Sequence, residues 1–234
     1  MQEVDISDFK NQRLELLGLL GSPEAELNLA QVKQIQKAEL EIYQIASPRY
    51  VYKTFARDEL KDSLEGKDIH LHLGTCDRVM LLAASLGAKV DFAIRRAQAL
   101  SMPYAMILDA VASVSIEKYL DKVEAELRFR LREKDLYLSS RYAPGYGDMP
   151  LSVLADLLNK LDAYSAISLS YNNQGLMNPL KSILAVLGLS DSEQMADLGL
   201  GDSETYPCDN CQYNQGCALK ARGAYCGRYS KRKV

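Results

Sequence analysis

Arg141-Tyr-Ala-Pro-Gly-Tyr-Gly147, followed about thirty residues later by Met177-Asn-Pro-Leu-Lys-Ser182, decides how this chain is read. Pro144-Gly145 fixes a turn and lets main chain approach a ligand closely, and Arg141 offers the planar donor fork that suits a carboxylate. Taken alone, the same residues equally describe a structured turn beside a surface arginine. Their meaning depends on the segments around them.

Upstream, Leu136 to Ser140 reads as extended, and before it the longest helix runs from about 104 to 132, with Ile107, Val111, Val114 and Leu120 among its apolar positions. A helix over about 91–100 leads into it past Met102-Pro103. Asp68-Ile-His-Leu-His-Leu73 alternates polar and apolar and predicts a strand with one wet face. Gly74-Thr75 then turns the chain, and Asp77 is placed to cap a helix through Leu86. Tyr50 to Phe55 is rich in strand formers. Ser22-Pro23-Glu24 opens a helix whose apolar positions Leu29, Val32, Ile35, Ala38, Ile42 and Ile45 continue to the stop at Ser47-Pro48.

Downstream, Pro150 starts a helix to Leu161 and Ala166-Ile-Ser-Leu-Ser170 reads as a strand. Lys181 to Leu187 is its expected hairpin partner, reached through the Asn172-Asn-Gln-Gly175 turn. Helices and non-consecutive short strands predict an α+β fold, helices packed on an antiparallel or mixed twisted sheet, and no GxGxxG or GxxxxGK[ST] phosphate loop opposes it. Residues 1–190 form the expected domain, including an N-terminal helical segment 1–47. Residues 191–234 form an acidic, Gly-containing linker and a small cysteine-rich C-terminal tail.

Of 234 residues, 47% are hydrophobic and 25% charged, which is ordinary for a globular protein. A formal net charge of -3 argues against binding nucleic acid through bulk charge, and the basic end, Arg228 and Lys231-Arg232-Lys233, reads as a solvated terminus. No apolar run reaches the roughly 18 residues of a membrane span, since Val79 to Ala88 is closed by Lys89. Glu3, Asp5 and Asp8 are unlike a signal peptide, so a cytoplasmic protein without a membrane partner is expected.

Four of the five cysteines, Cys208, Cys211, Cys217 and Cys226, fall within nineteen residues, and in a reducing compartment that spacing suggests a metal before disulfides. Zinc as a structural staple and an iron-sulfur cluster both fit it. Cys76 stands alone and reads as a buried small residue. His70 and His72, two apart, would share one side of a strand, facing either a metal or solvent.

The order of these segments resembles the activation domain of cobalamin-dependent methionine synthase. That family shows Arg-Pro-Ala-Pro-Gly-Tyr, a proline-started helix, a strand, then Met-x-Pro-x-x-Ser. Here the matching residues are Arg141, Ala143, Pro144, Gly145 and Tyr146, then Pro150, then Met177, Pro179 and Ser182. The short stand-alone members are most similar, through Leu17-Gly18, Pro48-Arg49, Leu86 to Asp91 and Pro144 to Asp148, over about residues 5–190. The family's Asp-Trp-Thr-Pro motif has no counterpart in this tryptophan-free chain, and Gly147-Asp148-Met149 replaces its Ala-Cys segment.

The resemblance implies binding of S-adenosylmethionine, with Arg141 on the ligand carboxylate, Glu117 on its ammonium and main-chain contacts from Ala143, Gly145 and Tyr146. It places the Tyr146 ring, the residue expected nearest the chemistry, toward the cobalt face of a docked corrin. Asp135 stands at the family's second acidic ligand, with Glu133 as the alternative. The implied activity is that of a methyltransferase activation subunit: reductive methylation of cob(II)alamin to methylcobalamin on a partner methionine synthase, with flavodoxin or ferredoxin as electron donor. Cobalamin would be presented by that partner, because Asp68-Ile-His70 lacks the glycine spacing of a corrin-binding signature. Two other readings stay open: a non-catalytic zinc-binding interaction module, and a reductive activator of another corrinoid methyltransferase.

Overall fold

A computed structural model of the chain describes Leu16, Leu19, Leu20 and residues 28–172 and 175–192. Helix α1 spans Leu29–Ile45, and its first turn is closed by a reciprocal cap in which Asn28 Oδ1 accepts from Gln31 N at 2.9 Å and Gln31 Oε1 accepts from Asn28 N at 3.0 Å. The expected start at Ser22-Pro23 lies outside the described residues. Strand β1 follows at Arg49–Ala56, as its β-branched and aromatic content predicts.

Two neighbouring expectations are overturned. Asp68 to Leu73 is not a strand but part of helix α2, Lys67–Leu73. Ile69 and Leu73 are fully buried four residues apart while Leu71 is 70% exposed, so a short alternating run satisfies the helical period equally well. Arg78–Ser85 is not a helix but strand β2, whose residues from Val79 onward are all buried. It pairs antiparallel with β1 on one side and with the strand Ser182–Ser190 on the other, and a strand covered on both faces shows a continuous apolar run instead of alternation.

Helices α3, Ala88–Leu100, and α4, Met102–Arg132, match the sequence reading, with Pro103 in the first turn of α4 where its missing N–H costs no helical bond. Strand β3 is Tyr137–Leu138. A single 3-10 turn, Leu151–Val153, carries the chain from Pro150 into α5, Leu154–Lys160. The expected strand over 166–170 is not one strand: Ala166 and Ile167 end helix α6, Ala163–Ile167, which is bounded by left-handed Asp162 and Ser168, and Ser170 alone is extended in a ladder. Ala163 and Ile167, four apart, are buried beneath it. The turn from Asn172 to Gly175 closes only the small hairpin of β4, Ser170–Tyr171, and β5, Met177–Asn178. Strand β6, Ser182–Ser190, instead crosses into the main sheet.

That sheet has the order β1-β2-β6-β3 and its pairs are antiparallel, settling the choice between antiparallel and mixed. Alternate residues of β2 and β6 feed two cores. Met80, Leu82, Ala84, Ala185 and Leu187 meet α1, α3 and α4 on one face, and Val79, Leu81, Ala83, Leu184 and Val186 meet α2, α5 and α6 on the other. Each fully buried leucine here contributes about 1.5–3 kcal/mol relative to exposure, so the two central strands anchor the domain. Cys76 is 3% exposed, as expected, and burial pushes its thiol pKa up. Among the described residues no helix is long and apolar enough to cross a membrane.

Candidate functional site

The Arg141 loop crosses the outer edge of the sheet beyond the short strand β3. Tyr142 makes a two-way main-chain bridge with Val186, its N–H donating to Val186 O at 2.9 Å and its carbonyl accepting from Val186 N at 2.7 Å. Successive residues of extended chain face opposite ways, so Tyr142 enters the α2/α5 layer while Arg141 points to α4. The Tyr142 ring packs 5.1 Å from the His72 ring, and its hydroxyl donates to Tyr146 O at 2.8 Å.

Between them the loop folds on itself. Gly145 N donates to Met149 O at 2.8 Å, Tyr146 N to Ala143 O at 3.1 Å and Met149 N to Tyr146 O at 3.1 Å. Gly145 at φ +91° and Gly147 at φ +54° hold backbone conformations that other residues rarely adopt. Met149, 1% exposed, plugs the loop into the core. Asp148 then clasps the start of α2, accepting from Lys67 N at 2.6 Å and Asp68 N at 3.0 Å. These two amides, Lys67 first, hold its carboxyl below the usual carboxylate range. Ala143 is buried, whereas the Tyr146 ring is 45% exposed at the tip.

The Arg141 side chain, 12% exposed, lies against the acidic face of α4. Its Nη2 is 2.8 Å from Asp121 Oδ1 and 3.6 Å from Glu117 Oε2, and its Nε is 3.3 Å from Glu124 Oε2. Glu124 is itself locked by Arg128, whose Nε and Nη2 donate to Glu124 Oε1 at 3.0 and 2.7 Å and whose Nη1 and Nη2 donate to the carbonyls of Leu138 and Ser139. Glu117, 50% exposed, is the most exposed of the three carboxylates.

Of the residues singled out from sequence, the structure therefore gathers Arg141, Ala143, Gly145, Tyr146 and Glu117 around one edge. Asp135 lies elsewhere, in the turn after α4 at φ +53°, at the far end of β3 from Arg141. Sequence reasoning missed Asp121, Glu124 and Arg128. Their signal was present, because Glu117, Asp121, Glu124 and Arg128 follow one another by four, three and four residues and so share a helical face. Asp121 stands one turn from Glu117 with a like charge, and the cation between them arrives from another segment.

Met177 to Ser182 brackets the other end of β6. Leu180 N donates to Asp91 Oδ2 at 2.8 Å, Ser182 Oγ to Pro179 O at 2.8 Å, and Lys181 Nζ reaches Asp109 at 2.9 Å and Ser113 at 2.8 Å. From Asp109 to Asp121 the α4 axis rises about 18 Å, so the two motifs fix opposite ends of one helix–strand contact. A cavity of about 250 Å³ lined by Leu19, Leu20, Met102, Met106, Asp109 and Ser113 adjoins the Lys181 end; the Arg141 loop takes no part in its lining.

The histidines do not share a face, because their segment is helical. His70 Nδ1 lies 3.1 Å from Arg57 Nη2 on an exposed side, whereas His72 is 3% exposed with Nε2 2.8 Å from Ser140 O. Among the described residues no group of three or more histidine, cysteine or acidic side chains is placed to hold a metal. Cys208, Cys211, Cys217 and Cys226 lie outside the described residues.

No family model and no curated protein matches the chain. Among solved structures it is similar to the crystal structure of the MetH reactivation domain bound to AdoHcy, with 17% identity and a TM-score of 0.52, covering 78% of this chain and 70% of that one. At this identity the likeness is one of fold, and it extends to three dimensions the resemblance that the order of the loops suggests. In fold, the chain is similar to the MetH reactivation domain.

Proposed function

We propose that the chain is a reactivation subunit for cobalamin-dependent methionine synthase, binding S-adenosylmethionine and supporting reductive methylation of cob(II)alamin on a partner protein. The observation that carries this reading is the placement of Arg141: a nearly buried guanidinium between the acidic face of α4 and a glycine loop, on a fold similar to a domain crystallised with AdoHcy. The ligand's head group has an acid, an ammonium and a sulfonium. Arg141 suits the acid, and the half-exposed Glu117 suits the ammonium. Ala143 O accepts from Tyr146 N and keeps a second lone pair for a ligand donor, whereas both lone pairs of Tyr146 O are taken by Met149 N and the Tyr142 hydroxyl. Gly145, at φ +91°, leaves the main chain there without a side chain between it and a ligand.

The partner's cobalamin supplies the nucleophilic metal. This chain's groups bind and align the methyl donor, with the exposed Tyr146 ring directed at the visiting corrin, and such alignment needs no proton-transfer residue. Asp135 would enter the ligand's surroundings only if the turn after α4 moves toward Arg141. Flavodoxin or ferredoxin would deliver the electron. The tail cysteines Cys208, Cys211, Cys217 and Cys226 would hold an iron-sulfur cluster that relays it, or zinc that staples the tail. Metal and sulfide analysis with a visible spectrum of anaerobically purified protein separates the two, broad visible absorption with iron meaning relay and stoichiometric zinc meaning staple.

Titration calorimetry with S-adenosylmethionine tests the main reading. Wild type should bind, and Arg141→Ala should bind at least about tenfold more weakly, as expected when a charge-assisted contact is lost. Absence of binding by wild type, or equal binding by the variant, counts against it.

A further inference from the structure

Resting on the reading of Arg141 as the reader of a ligand carboxylate, we infer that its carboxylate neighbours divide the work: Glu124 is the fixed counter-ion that aims the guanidinium, and Asp121 is the resting counter-ion that an incoming ligand acid displaces. A guanidinium has two edges that offer parallel pairs of N–H groups, Nε with Nη2 and Nη1 with Nη2, and both include Nη2. In this structure Nη2 is held by Asp121 Oδ1 at 2.8 Å. Nη2 has two N–H groups, one on each edge, so a ligand carboxylate on either edge must displace Asp121 or share that nitrogen with it, and the repulsion of two carboxylates at one nitrogen favours displacement.

The surroundings of the two acids differ in the way this requires. Glu124 is 15% exposed, sits on Nε at 3.3 Å and gives its other oxygen to two donors of Arg128. Arg128 is tied in turn to the carbonyls of Leu138 and Ser139, so Glu124 is held from the sheet as well as from its own helix. Asp121 is 31% exposed, and its second oxygen already lies 3.8 Å from Lys118 Nζ, a cation one turn back on the same face. When Asp121 leaves Arg141 it keeps a partner, so its departure strands no charge. Glu117, 3.6 Å from the same Nη2 and half exposed, is the acid left facing the ligand's ammonium.

The test is calorimetric affinity on the full chain, with AdoHcy and adenosine as probes. AdoHcy carries the amino acid head but no net charge, so losing one acid from the protein changes little of its long-range attraction; adenosine has no head at all. Asp121→Asn should tighten AdoHcy about two- to fivefold, since a competing, part-buried ion pair has been removed. Glu124→Gln should weaken AdoHcy about tenfold through a guanidinium no longer held in place. Neither substitution should move adenosine, a selectivity that a general loosening of the fold would not produce. Binding of AdoHcy that depends on Arg141 but is unchanged or weakened by Asp121→Asn overturns the division of labour alone. Failure of wild type to bind AdoHcy, or equal binding by Arg141→Ala, overturns both it and the ligand reading. Should Glu124→Gln melt below the assay temperature, the direction of the Asp121→Asn shift decides.

Discussion

Replacing Gly145 by alanine isolates what the loop's backbone contributes. At φ +91° an L-residue is held off its preferred regions, which costs about 1–3 kcal/mol. Alanine also narrows the unfolded ensemble, which returns about 0.4–1 kcal/mol of stability. A steric contribution adds little: the new Cβ meets Leu151 Cδ2 at 2.9 Å and Cγ at 3.2 Å, but Leu151 is 53% exposed and its side chain is free to turn outward. The net loss is about 1.5 kcal/mol, or roughly 3–6 °C in Tm for a domain of this size. Thermal melts by circular dichroism on wild type, Gly145→Ala, Leu151→Ala and the double variant measure it. The double variant should sit within about 0.5 kcal/mol of the sum of the singles, because the strain lies in the main chain and not in the contact. A Gly145→Ala melt within a degree of wild type would refute the need for this conformation, and full recovery in the double variant would move the cost from backbone to packing.

Three other outcomes follow from the same geometry. Because the amides of Lys67 and Asp68 hold the Asp148 carboxyl below its unfolded value near 3.8, its clasp contributes stability in full above about that pH and loses it as pH falls through the lower folded value. Melts from pH 5 down to 2.5 should accordingly be less pH-dependent in Asp148→Asn than in wild type; parallel curves count against the clasp. Met149→Ala empties a site 1% exposed in the α2/α5 core and should cost about 2–5 kcal/mol by urea denaturation, with the slope m unchanged. Lys181→Met removes bonds to Asp109 and Ser113, and since Asp109 is 53% exposed the loss should stay below about 1 kcal/mol. With Lys181 at the far end of the helix–strand contact, S-adenosylmethionine affinity should not change.

The long helices were legible because each repeats its apolar face over several turns, as α3 and α4 do, and β1 because five of its eight residues are β-branched or aromatic. The misread segments were short or fully buried. Six residues of alternation at Asp68 to Leu73 place Ile69 and Leu73 on one side in either period, and the Asp148 clasp that holds the first-turn amides of the helix comes from eighty residues away. β2 carries no alternation at all because both of its faces are covered. Of the candidate site, the loop and Glu117 could be picked out in the sequence. Asp121 and Glu124 could not, because a stripe of acids on α4 acquires its meaning only from a cation delivered by the sheet edge.

That delivery depends on one bridge. Arg141 and Tyr142 are adjacent, so whichever of them faces α4, the other must face α2. The main-chain pairing of Tyr142 with Val186 fixes the parity. A slip of one residue would press the guanidinium against the buried ring of His72 and turn the tyrosine toward three carboxylates, an exchange unfavourable on both faces. The two layers thus enforce the same register independently, the apolar one through Tyr142 and His72 and the charged one through Asp121 and Glu124. The loop beyond, from Ala143 to Met149, inherits from that bridge a fixed starting direction, from which it closes through Gly145, Gly147 and the Asp148 clasp.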